Sequence, residues 1–239
     1  MGTSGHGVEY LRITDLHAFY GESHILHGVD LTVNRGEVVT LLGRNGAGRT
    51  TTLKSIMGLV GRRTGSIMIN GEEAVNMPPH TIARLGLGYC PEERGIFASL
   101  SCEENLLLPP EVASGGMALD EIYAMFPNLK ARRTSPGGRL SGGEQQMLAV
   151  ARILRTGATL LLLDEISEGL APVIVQALAQ AIRLLRDKGL TVLMVEQNFR
   201  FAAPLADRFY VIEHGQVIEH FDARELEARR AMLHEVLGV

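Results

Sequence analysis

The sequence predicts an α/β protein, a largely parallel sheet with a helical segment inserted into it. Three observations predict it. The apolar run Val38 to Leu42 reads as a buried strand and leads through a glycine-rich loop into Thr52 to Met57, which has helical spacing. Two more apolar runs, Thr159 to Asp164 and Thr191 to Glu196, flank a helix from Pro172 to Arg186. Gln176, Gln180, Arg183 and Asp187 fall on one polar stripe, as on a helix packed against a sheet. Between Pro91 and about Gly157, strand alternation gives way to helical patterns broken at Pro109-Pro110, Ser114-Gly115-Gly116 and Ser135-Pro136-Gly137-Gly138.

In chain order, Glu9 to Thr14 alternates weakly and Leu26 to Val33 more clearly, which gives two expected strands. Phe19-Tyr20-Gly21 lies between them as a turn carrying aromatic rings. Asn34-Arg35-Gly36 turns the chain into the strand at Val38. Gly65 to Ile69, followed by Asn70-Gly71, reads as a strand with a hairpin-type turn. A short helix follows Pro78-Pro79, and Gly86 to Cys90 is another buried strand. Leu140-Ser141-Gly142-Gly143-Glu144 opens an apolar-periodic helix through Leu154. Phe209 to Glu213 and Gln216 to His220 flank His214-Gly215 as a hairpin, and Arg224 to Leu237 forms an amphipathic helix.

Composition narrows the function classes. The 239 residues suffice for one large domain or two small ones. Hydrophobic residues at 46% and charged residues at 21% are the balance of a soluble globular protein with a substantial core. A net charge of −4 without a basic stripe argues against a general nucleic-acid binder. Arg62-Arg63, Arg132-Arg133 and Arg229-Arg230 read as solvated faces. Cys90 and Cys102 make neither a metal-ligand spacing nor a disulfide scaffold, and they fit a reducing, cytoplasmic location. The eight histidines show no ligand spacing, and His24 and His27 read as turn and surface positions. Met1 to Gly7 is small and polar with no signal-peptide pattern. No apolar run approaches the roughly eighteen residues of a membrane span, so membrane association is expected through a partner.

Three stretches carry chemistry. In the loop Gly43-Arg44-Asn45-Gly46-Ala47-Gly48-Arg49-Thr50-Thr51, the glycines let successive N–H groups point inward. With the positive end of the following helix they form a cradle for nucleotide phosphates. Thr50 sits where the motif places a hydroxyl on Mg²⁺. The Walker A pattern is broken at one place, where Arg49 stands for the expected lysine. In Leu160-Leu161-Leu162-Leu163-Asp164-Glu165, a central strand presents two carboxylates at the end where ligands of open α/β sheets collect. Asp164 there can hold Mg²⁺, and Glu165 can orient or deprotonate an attacking water. In Leu140 to Gln146, Ser141 and Glu144 fit a capping box, while Gly142 and Gly143 suggest a backbone brought close to something anionic. A cap and a phosphate site can coexist.

With these motifs in this order, the sequence resembles the ATP-binding subunits of ABC transporters over essentially its whole length. Leu-Ser-Gly-Gly-Glu at 140–144 matches the signature motif of that superfamily. The resemblance implies a single domain. Its P-loop NTPase core, approximately 1–90 and 158–239, has an antiparallel N-terminal β part, and a helical insertion at approximately 91–157 contacts a membrane-spanning permease. It also implies a head-to-tail dimer with ATP and Mg²⁺ between the glycine loop of one subunit and Ser141 to Glu144 of the other. Tyr20 matches the aromatic position that stacks on adenine. Pro91 to Phe97, Ser167 to Pro172 and Val195 to Asn198 are similar to the smaller ATPase subunit of branched-chain amino acid importers, whose relatives also serve urea, amides and other small polar solutes. That subfamily uses glutamate at Glu92, where most relatives have glutamine, and glutamine at Gln197, where most have a γ-phosphate-sensing histidine. Glu92 keeps a hard oxygen for Mg²⁺ or its water, and Gln197 keeps one hydrogen bond for a phosphate. The implied setting is the cytoplasmic face of the inner membrane, held through the permease. The implied partners are a sister ATPase or a second copy and, indirectly, a solute-binding protein, with no nucleic acid.

Two positions depart from the subfamily. Ile166 replaces a proline, which alters loop rigidity more than chemistry. Arg49 keeps the charge of lysine but brings a wider planar head. Misplacing such a contact costs on the order of 3 kcal/mol in the transition state, a hundredfold in rate. The expectation is a subunit that binds Mg-ATP and dimerises but hydrolyses at its own glycine loop more slowly than a lysine-bearing partner would, unless the loop adjusts and Arg49 works normally. The alternative is a weakly or non-hydrolytic subunit supporting an active sister, against which the intact Glu165 argues. A soluble relative acting on DNA or ribosomes would carry paired cassettes, coiled-coil insertions or basic arms, and this sequence has none of these.

Overall fold

An unbroken apolar run makes a stable strand only where both of its faces are covered. In the computed structural model of the protein, which describes residues 7–238, this is how the longest such runs are used. Met1 to His6, within the start read above as lacking a signal-peptide pattern, and Val239 lie outside the described residues.

Strands β1 (Glu9–Tyr20) and β2 (Ser23–Asn34) form a long antiparallel hairpin. β1 continues well past Thr14, where its alternation fails, because Asp15 sits at a bulge with φ 48. The buried side chains step from Leu11 and Ile13 to Leu16 and Ala18, so period 2 is broken without ending the strand. The turn falls at Gly21-Glu22, and Phe19 and Tyr20 belong to the strand instead.

Strand β3 (Val38–Leu42) leads through the glycine loop to helix α1 (Arg49–Ile56). β4 (Arg62–Ile69) turns at Asn70-Gly71, both with positive φ, into the short β5 (Glu72–Glu73). Helix α2 (Pro79–Arg84) and strand β6 (Leu87–Cys90) follow. The chain then runs through α3 (Cys102–Leu107), α4 (Leu119–Met125), α5 (Pro127–Ala131) and α6 (Gly142–Leu154) before strand β7 (Leu160–Asp164). Next come α7 (Pro172–Asp187), β8 (Thr191–Glu196) and the one-turn α8 (Phe199–Ala202). A hairpin of β9 (Arg208–Glu213) and β10 (Gln216–Asp222) precedes α9 (Leu226–Leu237). The last helix starts later than Arg224 because Ala223–Glu225 forms a 3₁₀ turn.

Two sheets result. One is antiparallel in the order β2-β1-β4-β5. The other is six-stranded in the order β10-β9-β3-β8-β7-β6, parallel except at β9–β10. Val38, Leu42, Leu161, Leu163, Val192 and Met194 join a core with α6 and α7 on one face of the larger sheet. Their neighbours Val39, Leu41, Leu160, Leu162, Leu193 and Val195 join α1 and the antiparallel sheet on the other. Burial on both faces is why these strands read as continuous runs.

Candidate functional site

The parallel register sets the carboxyl ends of β3, β7 and β8 side by side, with Leu42 opposite Glu196 and Asp164 opposite Val195. The glycine loop and the two carboxylates therefore emerge at one edge, the usual ligand position of such a sheet. Between them lies a cavity of about 400 Å³. Asn45, Gly46, Gly48, Arg49, Thr50 and Thr51 line one side and Glu92, Glu165 and Glu168 the other, with Tyr20 and Ile25 at the hairpin end.

Three residues of the predicted cradle do not line it. Gly43 packs against β9, where a Cβ would come 2.5 Å from the Ile212 carbonyl oxygen. Arg44 and Ala47 face a neighbouring hollow with His214 and Val236, and the Ala47 N–H is already bonded to the Arg44 carbonyl at 3.0 Å. Gly48 is the N-cap of α1 with φ 109, and a Cβ there would sit 2.7 Å from Leu26 Cδ2. It offers no side-chain cap, and the first turn holds no acidic residue. An uncapped helix start beside a cavity suits an anion.

Arg49 is 3% exposed. Its Nη2 donates to Asn45 Oδ1 at 3.0 Å and to Glu165 Oε1 at 2.5 Å, while Nη1 is buried without a partner. A phosphate oxygen in the cavity would supply the missing acceptor. Glu165 holds a left-handed backbone, φ 47, at the step out of β7. Burial raises its pKa to about 7; Glu168 and Glu92 add to the rise and Arg49 opposes it. A carboxyl near neutrality can take and release a proton at physiological pH.

Thr50 Oγ1 donates to Asp164 Oδ1 at 2.9 Å, and the Tyr89 hydroxyl donates to Asp164 Oδ2 at 2.9 Å. Burial raises the Asp164 pKa, and these two donors pull it back. One carboxylate oxygen each of Glu92, Glu165 and Glu168 lies within 4.8 Å of the other two. Of the three predicted metal residues, Thr50 and Asp164 are thus in contact, while Glu92 joins Glu165 and Glu168. All are oxygen donors of the kind Mg²⁺ takes.

Gln197 is half-buried and lines a second cavity of about 470 Å³, which shares Glu165 and Glu168 with the first. Beside it Glu196, 1% exposed, accepts from the Ser167 hydroxyl at 2.8 Å and the Ser167 N–H at 3.2 Å. Burial raises the Glu196 pKa to about 8.

Ser141, Gly142, Gly143 and Glu144 line neither cavity. The capping box at the start of α6 is formed, with Ser141 N–H on Glu144 Oε2 at 2.7 Å and Glu144 N–H on Ser141 Oγ at 3.3 Å. Gly143 answers to packing, since a Cβ would meet Ile174 of α7 at 2.7 Å. Ser141 and Gly142 are exposed. The sequence reasoning gave Tyr89 no role beyond its strand, and it used Ser167, Glu168 and Glu196 only as parts of motifs. Their signal is position, at the ends of β6 and β8 or in the loop after β7.

A family profile described as ABC transporter matches residues 26–168. Over 211 residues the chain is 44% identical to the high-affinity branched-chain amino acid transport ATP-binding protein BraG of Pseudomonas aeruginosa, a match that covers 84% of this chain and 88% of that one. Over 220 residues it is 39% identical to a probable branched-chain amino acid transport ATP-binding protein, LivF, of Archaeoglobus fulgidus, covering 90% and 93%. A solved structure described as the ATP binding subunit of an ABC transporter is 29% identical and matches with a TM-score of 0.77, covering 96% of this chain and 95% of that one.

Proposed function

The chain belongs to the ABC transporter family, and from that premise we propose that it is the motor of an importer for branched-chain amino acids or related small polar solutes. It is an ATP-binding and hydrolysing subunit homologous to the branched-chain amino acid transport ATPases. The observation that carries the reading is the approach of an uncapped helix start, a half-satisfied guanidinium and a near-neutral glutamate across one cavity.

In this reading the loop amides around Gly46 and Gly48 hold the phosphates, Arg49 Nη1 gives a phosphate oxygen a charged donor, and Tyr20 stacks on adenine. Thr50 and Asp164 would hold Mg²⁺ with Glu92 nearby, and the bound ion would neutralise phosphate charge. Glu165 takes the proton of the attacking water, and Gln197 donates to a phosphate from the end of β8. The exposed Ser141 and Gly142, with Gly143 and Glu144 behind them, close over the nucleotide of a second subunit, a sister ATPase or another copy.

The segment 91–157 is the insertion that meets the permease, and 1–90 with 158–239 is the core. Phe97, Leu107 and Leu108 in the former are about half exposed and supply apolar contact area. Among the described residues no helix is long and apolar enough to cross a membrane. In this reading the subunit sits at the cytoplasmic face through its permease, and a solute-binding protein is engaged indirectly.

Calorimetric titration with ATP, with and without magnesium and with and without the sister ATPase, tests the site. Absence of nucleotide binding in every combination overturns it. Uptake of labelled leucine by cells carrying or lacking the chain tests the cargo. One observation favours a slower second role: Arg49 engages Glu165, the group that must act on water.

A further inference from the structure

The three histidines that sequence spacing left unrelated are brought together by the β1–β2 hairpin. His17 and His27 are cross-strand partners, and His24 pairs with Phe19 nearer the turn. All three side chains gather on one patch. His17 Nδ1 lies 3.0 Å from His24 Nε2, and the rings of His24 and His27 are 3.9 Å apart. His17 Nε2 lies 3.1 Å from Asp15 Oδ1. Phe19 stacks on His24 at 4.2 Å, with the Arg62 guanidinium 4.1 Å from the Phe19 ring centre.

We propose that His17, His24 and His27 form a binding site for a divalent transition ion of the zinc class, with Asp15 positioning His17. Zinc binds imidazole nitrogen at about 2.0–2.1 Å, so two tetrahedral nitrogen ligands stand roughly 3.3–3.4 Å apart. The 3.0 Å between His17 Nδ1 and His24 Nε2 needs only a few tenths of an ångström of opening. Asp15 supplies what a metal-binding histidine ordinarily has, a carboxylate on its other nitrogen. With the proton of His17 held at Nε2 toward Asp15, the Nδ1 lone pair is directed at the ion position. His17 and His24 are the two ligands already in place; His27, whose ring lies 3.9 Å from that of His24, joins them only when its side chain turns a nitrogen inward, and water fills the remaining positions.

The neutral imidazole is the ligating form. The nearby charges are Arg62, which opposes a cation, and Asp15 and Asp30, which favour one; Asp30 Oδ1 accepts the Asp15 N–H at 3.0 Å. A bound ion would staple β1 to β2 near the turn end of the hairpin that also carries Tyr20.

The test is a calorimetric titration of the untagged full-length chain with Zn²⁺ alone, without nucleotide or chelating buffer. In a Glu92→Gln, Glu168→Gln background, which removes the acidic cavity's donors, saturable binding of one ion is expected, weakened at least tenfold when His24→Gln or His17→Gln is added. Circular dichroism checks that each variant is folded. Co²⁺ should give the visible bands of a nitrogen-ligated site, lost in His24→Gln. No saturable binding, or binding that survives His24→Gln, overturns the proposal.

Discussion

Replacing Arg49 with lysine should raise ATP turnover about ten- to a hundredfold. In the structure Arg49 and Glu165 form an ion pair at 2.5 Å, their side chains 3% and 9% exposed. Arg49 stabilises the ionised Glu165 and so lowers its basicity while tying Oε1 to the loop, and loosening the contact favours proton transfer from water. Raw Coulomb attraction overstates the cost, because desolvation offsets much of it in a buried pair. The net worth of a hydrogen bond to a charged group, about 1.5–3 kcal/mol, is the better measure. Arg49 reaches Asn45 and Glu165 from the same nitrogen. Lysine has a compact single-nitrogen head that favours a phosphate over this bridge. At about 1.4 kcal/mol per tenfold, relief of the clamp gives the stated range. The assay is steady-state phosphate release at saturating Mg-ATP, with nucleotide affinity measured in parallel. Arg49→Met removes both the clamp and the phosphate contact and should not accelerate. Unchanged or slower turnover in Arg49→Lys with nucleotide binding intact would refute the clamp.

Wild-type turnover should fall as pH drops from 8 to 6, since protonation near Glu165's raised pKa of about 7 removes the proton acceptor. Glu165→Gln should retain ATP binding while losing about 10²–10⁴-fold in rate, the usual range for a general base; a rate within tenfold of wild type would assign the proton to another group. Glu196→Gln should stabilise the protein more at pH 8 than at pH 5. Its folded pKa is raised from 4.5 to about 8, so the stability of the protonated form is present below the lower value and lost as pH rises toward the upper. Glutamine mimics the protonated acid and can keep both Ser167 contacts. Thermal melts of variant and wild type should therefore separate as pH rises, and a gap that stays flat or narrows would contradict this.

How much of this was legible depends on whether neighbours in sequence decide it. β3, β7 and β8 were plain, because burial on both faces leaves no polar gap in their runs. β1 was cut short because the bulge at Asp15 moves its inward positions from 11 and 13 to 16 and 18, which a period-2 reading takes for the end of a strand. Arg49 stood out as a departure from its motif, but its partner did not. The Glu165 contact needs a left-handed step after β7 and a side chain turned across the cavity, and neither is written in local spacing. The histidine patch was hidden for a related reason. Antiparallel register sets His17 opposite His27 at a separation that only the position of the hairpin turn decides. Placing that turn at 19–21 rather than at Gly21-Glu22 changes which residues meet across the strands.

The paired glycines show how one motif can serve two masters. Read from sequence, Gly142 and Gly143 together suggest a backbone approaching an anion. The structure separates them: Gly143 is needed because α7 brings Ile174 against the first turn of α6, a demand internal to the fold. At Gly142 an added Cβ would lie 3.3 Å from Arg94 Nη1, and Arg94 is tied back to Gln146 Oε1 at 3.1 Å. A guanidinium held beside an exposed serine and glycine adds positive charge to a helix start whose capping box already occupies the Ser141 and Glu144 side chains. What the fold leaves facing outward there is suited to an anion, which is what the proposed closure over a second subunit's nucleotide requires of it.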